Sequence, residues 1–433
     1  MPNTYSKDIT IKDIVIIGGG IAGLYSAFLI QQLSPQTSFV ILEKYKKQWI
    51  GGRIGNEMFC GTEIVTGAGI GREKKDGLLM KLLKELRIPI HHGVLEPFYS
   101  STIKRMDVDK TMEFLKVVYN KRYKQYPSVT FKQFATHVLG KEKYQTFLEN
   151  IGYTDYENED ALQTLENYGM EDNSCCLKII HVPWKKLVLS LVARIGEKNI
   201  KSSQDVVHIH KMKTNEMGVN GNLNLNSQFI VETLSGNQYL CNKVIVATTI
   251  TSIRELVSGA KLKNSIYQEI HGQPFLRLYG KFTKSSTLLM KEYVKGYTIV
   301  SGPIQKIIPM DAEKGIYMIS YSDNNNAMFL KKYLKNTSQN RAIICKLIEK
   351  SLGIPESNLS LITMKDYYWP IGTHYYSPLN KQKYKERETF IWQAQHPQPD
   401  MLVVGEVVSM NQGWTEGALE SVQLGLTKKW ILQ

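Results

Sequence analysis

Cysteine is scarce in this chain and poorly placed to act jointly. Only five occur in 433 residues, namely Cys60, Cys175, Cys176, Cys241 and Cys345. They form no CxxC pair and no metal-ligand spacing with histidine, so no metal is expected. Cys175 and Cys176 are adjacent, a poor geometry for bridging each other. Reduced thiols in a cytosol-like compartment are expected instead of a disulfide framework. Long apolar runs are missing as well. No stretch of about 18 uncharged apolar residues occurs outside the Gly-rich start, which is too patterned for a membrane span. No basic leader with a small-residue cleavage site precedes it, so a cytoplasmic protein without a transmembrane segment is expected. Acidic residues are in deficit: 40 Asp and Glu against 54 Lys and Arg give a net charge of +14. The lysines are scattered along the chain, which favours a solvated basic surface over a nucleic-acid partner. Internal repeats and low-complexity linkers are absent.

What is present is enough chain for at least two domains, because 433 residues exceed the size at which one hydrophobic core stops growing. The segment KDIVIIGGGIAGLYSAFLI runs from a β-rich stretch, Ile14 to Ile17, into Gly18, Gly20 and Gly23, and continues as a small-residue helix. Strand, tight turn and helix in that order suit a dinucleotide. One glycine allows the turn, one lets backbone approach a pyrophosphate, and one permits close helix packing. A second strand, SFVIL, ends at Glu43, twenty positions after Gly23, where an acid meets an adenosine ribose hydroxyl.

NAD and FAD both use this unit. The following GGRI, Gly51 to Ile54, and the small residues Gly67, Ala68 and Gly69 favour FAD, since both suit close approach to a large flat ligand. Residues 78 to about 182 read as mostly helical. Val182 to Ile195 reads as another helix, and strand patterns return in DVVHIHKM, FIVETL and NKVIVATT. Near the end, DMLVVGEV enters GWTEGALESVQLGLTKKW, again strand, Gly-rich turn and helix.

The stretch FLRLYGKF, residues 275 to 282, alternates as a strand. Arg277, Tyr279 and Lys281 share one face, and Leu276, Leu278 and Phe282 line the other. Cations on a strand bordered by apolar residues call for a partner or a polar site.

Taken in order, GGGIAGL, ILEKYKKQWIGGRI, VIVATT (Val244 to Thr249), Trp369 with Gly372, and VVGEVVSMNQGWTEGALES resemble the flavin-containing amine oxidase family over nearly the whole chain. The resemblance implies an α/β fold, a Rossmann-like FAD-binding domain with an inserted α+β substrate domain. The expected division is 10–80, 183–258 and 395–433 for the FAD-binding parts, with 81–182 (helical) and 259–394 (sheet) for the substrate domain.

It further implies that Gly18, Gly20, Gly23 and Glu43 bind the ADP half of FAD. Gly52 and Arg53 would approach pyrophosphate and flavin, Val207 would offer backbone to adenine, and Gly405 and Glu406 would sit at ribityl and phosphate. Thr415 opens a helix whose small stripe, Gly417, Ser421 and Gly425, permits close approach. Trp414 matches one wall of the family's aromatic cage, and His374 stands where the other aromatic is usual, with Tyr375 and Tyr376 adjacent. The family's usual lysine beside the flavin lines up with Arg277, or with Lys281 if the register is two residues off. No cysteine lies near the cage, so noncovalent FAD is expected.

The expected activity is oxidation of an amine C–N bond by hydride transfer to flavin, with oxygen as acceptor and hydrogen peroxide released. A flavin desaturase or porphyrinogen-type oxidase on a non-amine substrate is the alternative, as is a weakened FAD-binding scaffold. Oligomeric state is open.

Overall fold

The computed structural model describes residues 9–125, 127–167, 176–212, 228–258 and 265–433. Cys175 lies outside them. The opening strand, Ile9–Ile17, forms the centre of a sheet drawn from both ends of the chain. It pairs in parallel with Phe39–Leu42 on one side and Gln238–Val246 on the other. Ile200–Lys201 adds at one edge. The strand Gln238–Val246 has two kinds of neighbour: its first half pairs antiparallel with Phe229–Thr233, its second half in parallel with Met401–Val403.

Alternation along these strands explains the two-sided core. Ile14, Ile16 and Ile41 face the helices Ile21–Leu33, Trp184–Ile195 and Thr415–Gly425, where Leu24, Leu187 and Leu419 are fully buried. Val15, Ile17, Val40 and Leu42 face a second cluster built on Phe229, Val231, Tyr267 and Phe390. Successive side chains point to opposite faces, so a run apolar at every position is the mark of a strand covered on both. Each such aliphatic side chain contributes about 1.5–3 kcal/mol by burial.

The second sheet has six strands in the order Leu361–Tyr376, Ile270–Phe282, Ile316–Asp323, Lys306–Asp311, Tyr297–Ile299 and Pro97–Tyr99. Leu276, Leu278 and Phe282 pack beneath the helix Ser338–Leu352. Tyr279 turns the other way and donates to Val65 O at 2.6 Å. Helices between Val108 and Asn167 enclose a separate core around Leu115, Phe131 and Phe147.

Two expectations change. The span 78–182 is interrupted by the strands His91–Leu95, Pro97–Tyr99 and Leu177–His181. They are short and half-exposed, too brief to show a period. The segment that holds Trp369, Gly372 and His374, for which no strand was expected, ends a strand of 16 residues, Leu361–Tyr376. Its Pro370 and Gly372 hide the pattern, and the ladder to Ile270–Phe282 shifts register between Gln273 and Phe275, beside them.

Candidate active site

A cavity of about 1330 Å³ runs between the two sheets, from the glycine turn and Glu43 at one end to Arg277, Tyr321 and Glu159 at the other. It exceeds the range of roughly 300–1,000 Å³ usual for small-molecule sites.

At the glycine turn the three positions differ in what a side chain would meet. Gly18 has φ +108°, and a Cβ there would lie 2.3 Å from Ala247 O. At Gly23 a Cβ would lie 2.0 Å from Gly18 O, so this glycine serves packing and does not line the cavity. At Gly20 a Cβ would meet nothing within 4 Å; it would project into the cavity. Glu43 accepts the N–H of Gly19 at 2.7 Å and of Tyr45 at 2.9 Å. Burial pushes its carboxyl up, against the pull of those two donors.

Val206 lines the cavity and Val207 does not. The strand Val206–Lys211 carries a bulge there, pairing Val206 with Thr233 and His208 with Glu232, so Val207 is the extra residue. The cavity wall expected at Val207 is formed by Val206 instead.

Gly52, Arg53, Gly405, Glu406, Trp414 and Thr415 all line the cavity. Arg53 donates through Nη1 to Glu406 Oε1 at 2.7 Å and to Gly372 O at 2.8 Å. Glu406 also accepts from His374 Nδ1 and, at 3.0 Å, from the Gly413 N–H. Burial opposes its charge, but His374, Arg53 and the Gly413 N–H hold the carboxyl well below the usual carboxylate range.

His374 is therefore not an aromatic wall. Its side chain is 0% exposed, and Nε2 accepts the Ile250 N–H at 3.2 Å. An acceptor at Nε2 and a donor at Nδ1 define the neutral tautomer. Burial holds the ring below its ordinary value although Glu406 pulls it up. Arg53 is the countercharge to Glu406; His374 contributes a hydrogen bond.

Trp414 is held from three sides. Its indole N–H donates to Asp76 Oδ2 at 2.8 Å, its ring meets Trp184 edge-on at 6.2 Å, and Arg72 lies 5.7 Å above it. Trp369, also on the cavity, donates to Thr66 O at 2.8 Å.

Of the two strand cations, Arg277 lines the cavity and Lys281 does not. A bulge between Leu278 and Tyr279 in the pairing with Ile316–Asp323 separates them. The guanidinium of Arg277 donates to Gly67 O, stacks 4.1 Å over Tyr321 and sits beside Gly69, where a Cβ would lie 3.1 Å from Nη2. No carboxylate among the described residues pairs with it.

Several residues were not singled out from the sequence: Gln273, Gln412, Tyr321 and Glu159, which line the cavity, and Trp184 and Asp76, which hold Trp414. Gln412 Oε1 is buried with no donor among the described residues. Together with the open space before Gly20, that acceptor fits a ligand with N–H groups. Apart from Gln412, which lies within VVGEVVSMNQGWTEGALES, none of these belongs to a motif quoted above. The mean spacing of charged residues could not have singled out Glu159 either, since it follows Glu157 and precedes Asp160.

Superposition decides the fold. Wild-type putrescine oxidase bound to putrescine matches over 96% of this chain and 98% of its own, with a TM-score of 0.72 and 13% identity. The chain has the putrescine oxidase fold. A variant from a redesign of cofactor binding in the same enzyme matches over 98% and 99%, with a TM-score of 0.72 and 12% identity. In sequence, an uncharacterized protein of Acanthamoeba polyphaga mimivirus is 22% identical over 488 residues, covering 96% of this chain and 93% of that protein. No protein-family profile matches. Within the putrescine oxidase fold the cavity described above lies between the dinucleotide-type sheet and the six-stranded sheet. Among the described residues no helix is long and apolar enough to cross a membrane.

Proposed function

We propose that the chain is an FAD-dependent oxidoreductase that oxidises an amine, with noncovalent flavin. The observation that carries the reading is the continuity of one cavity from the side-chain-free face of Gly20 and the carboxylate of Glu43 to Arg277 and Trp414. Such a cavity suits an extended ligand with its ADP half at the glycine turn and its ring at the second sheet.

Bound flavin would supply the hydride acceptor; the protein's part is position and charge. Gly18, Gly20 and Glu43 would hold the ADP half, and Gly52, Gly405 and the Arg53–Glu406 pair the stretch beyond it. The helix Thr415–Gly425 begins on the cavity, and its positive end favours negative charge developing there. Arg277 brings a fixed cation to the substrate end, and Trp414 is a rigid plane against which an amine-bearing carbon is oriented. Oxygen would take the electrons on, giving hydrogen peroxide.

Purified protein should be yellow, and peroxide should form with one or more members of a panel of monoamines, polyamines and amino acids. A colourless protein that takes up no added FAD defeats the reading. The turned-in His374 favours a second reading, because it leaves the expected cage one wall short: a flavin desaturase on a non-amine substrate. Silence across the panel with a flavin still reducible by dithionite would select it.

A further inference from the structure

Glu159 lies on the cavity wall and is 6% exposed. Its Oε2 accepts the Thr164 hydroxyl at 2.7 Å; its Oε1 accepts no hydrogen bond from the described residues. It shares the cavity with Trp414, and its neighbours tie it to the segment before that residue. Asp160, the next residue, bonds through its N–H to Tyr376 O, and Gln163 reaches Met410 O at 2.7 Å, in the loop that leads to Trp414. Gln273 links Asp155 O to Thr373, and a Cβ at Gly413 would lie 3.6 Å from the Thr373 methyl. A buried carboxyl with one oxygen turned to a cavity needs an occupant that brings a donor or a proton.

We propose, resting on the amine reading above, that Glu159 is the internal acceptor of the substrate's ammonium proton. A primary amine arrives protonated, since an alkylammonium titrates near 10.4, as lysine does. In that form nitrogen has no lone pair to form the C=N bond. The Glu159 carboxylate takes one proton from R–CH2–NH3⁺, giving R–CH2–NH2 and the carboxylic acid. With flavin bound as hydride acceptor, the Cα–H bond would break with its electron pair leaving as hydride, nitrogen's lone pair would form C=N, and the iminium would leave with the proton retained on Glu159.

The environment suits the task. Burial, with Asp155 and Asp160, pushes the Glu159 carboxyl up to about 8, against the Thr164 hydrogen bond and Arg387. Tyr376 is the titratable group on the strand alongside. An acid–base group works best when it titrates near the operating pH.

The test is calorimetric binding of two amines without a hydrogen on the nitrogen-bearing carbon, tert-butylamine and cumylamine, to the FAD-loaded protein. Runs in buffers of different ionisation enthalpy count protons released. Wild type should release about one proton per amine well below pH 8, falling toward none well above it, because the amine's proton then stays on Glu159. Glu159→Gln should show no such transition. Thr164→Val, which removes only the hydroxyl, should move the wild-type transition upward. A wild-type release that is flat with pH, or a transition unmoved in Thr164→Val, overturns the role of Glu159 while leaving the amine reading intact. Failure of the wild type to bind either amine at any pH overturns the amine reading itself.

Discussion

The indole N–H of Trp414 donates to Asp76 Oδ2 at 2.8 Å, joining residues 338 positions apart. Two residues further on, Glu416 accepts the N–H groups of Leu78 at 2.7 Å and Leu79 at 2.9 Å, the first turn of the helix Gly77–Glu85. Each segment thus completes the other: Asp76 holds the tryptophan, and the helix after the tryptophan caps the helix after Asp76. Arg72 fixes Asp76 in turn at 3.0 Å.

Glu416→Ala should therefore destabilise the protein by about 0.5–2 kcal/mol, the range for losing a helix cap. Glu416→Gln, which keeps an acceptor oxygen, should lose less. Urea unfolding of both variants measures the difference. Equal losses would mean that the charge, and not the cap, matters.

Gly20→Ala and Gly23→Ala should fail in different ways. The added methyl at Gly23 meets a carbonyl oxygen at 2.0 Å, whereas at Gly20 it meets nothing of the protein. Gly23→Ala should lower the unfolding midpoint without any ligand. Gly20→Ala should unfold like wild type as apoprotein and lose FAD affinity, read by equilibrium dialysis.

The Arg53–Glu406–His374 cluster sets an acid limit on stability. Burial lowers His374 from 6.5, and the cluster lowers Glu406 from 4.5. Both groups then bind fewer protons folded than unfolded, so stability rises with pH through each window and is lost on acidification. The unfolding free energy should decline first below pH 6.5 and again below 4.5. Glu406→Gln should abolish the lower decline and reduce stability at pH 7 by about 1.5–3 kcal/mol, as for a hydrogen bond to a charged group. Persistence of the lower decline in that variant would assign it elsewhere.

Arg277→Lys exchanges a planar fork for a compact ammonium and removes both the bond to Gly67 O and the stack on Tyr321. If the proposed flavin ring lies at this cation, reoxidation of reduced flavin by oxygen should rise about tenfold, roughly 1.4 kcal/mol in the barrier. Stopped-flow absorbance of the two proteins gives the ratio. An unchanged rate would place the ring away from Arg277.

Elements with a strong local pattern were legible in the sequence. Ile14–Ile17 followed by Gly18 announces strand and turn, and LVLSLVARI announces a helix, because side-chain period and glycine geometry act within a few residues. Arg277 was legible as a cation in need of a site. Lys281 and Val207 were not placed well, because a bulge shifts the face of every residue after it and depends on the neighbouring strand. His374 occupied the expected position and met a different fate: Glu406 and the Ile250 N–H claimed both of its ring nitrogens.

The sequence by itself determined the dinucleotide-type beginning, the return of strand and helix at the end, and the cation on the strand 270–282, since these follow from periodicity and from residues with special backbone freedom. Only the tertiary structure decided which polar groups meet. Asp76 with Trp414, Arg53 with Glu406, and Glu159 with an open cavity wall are contacts between distant segments. Hydrogen bonds and desolvation depend on distances of a few ångströms, and these are fixed only when the two sheets and the helices between them pack together.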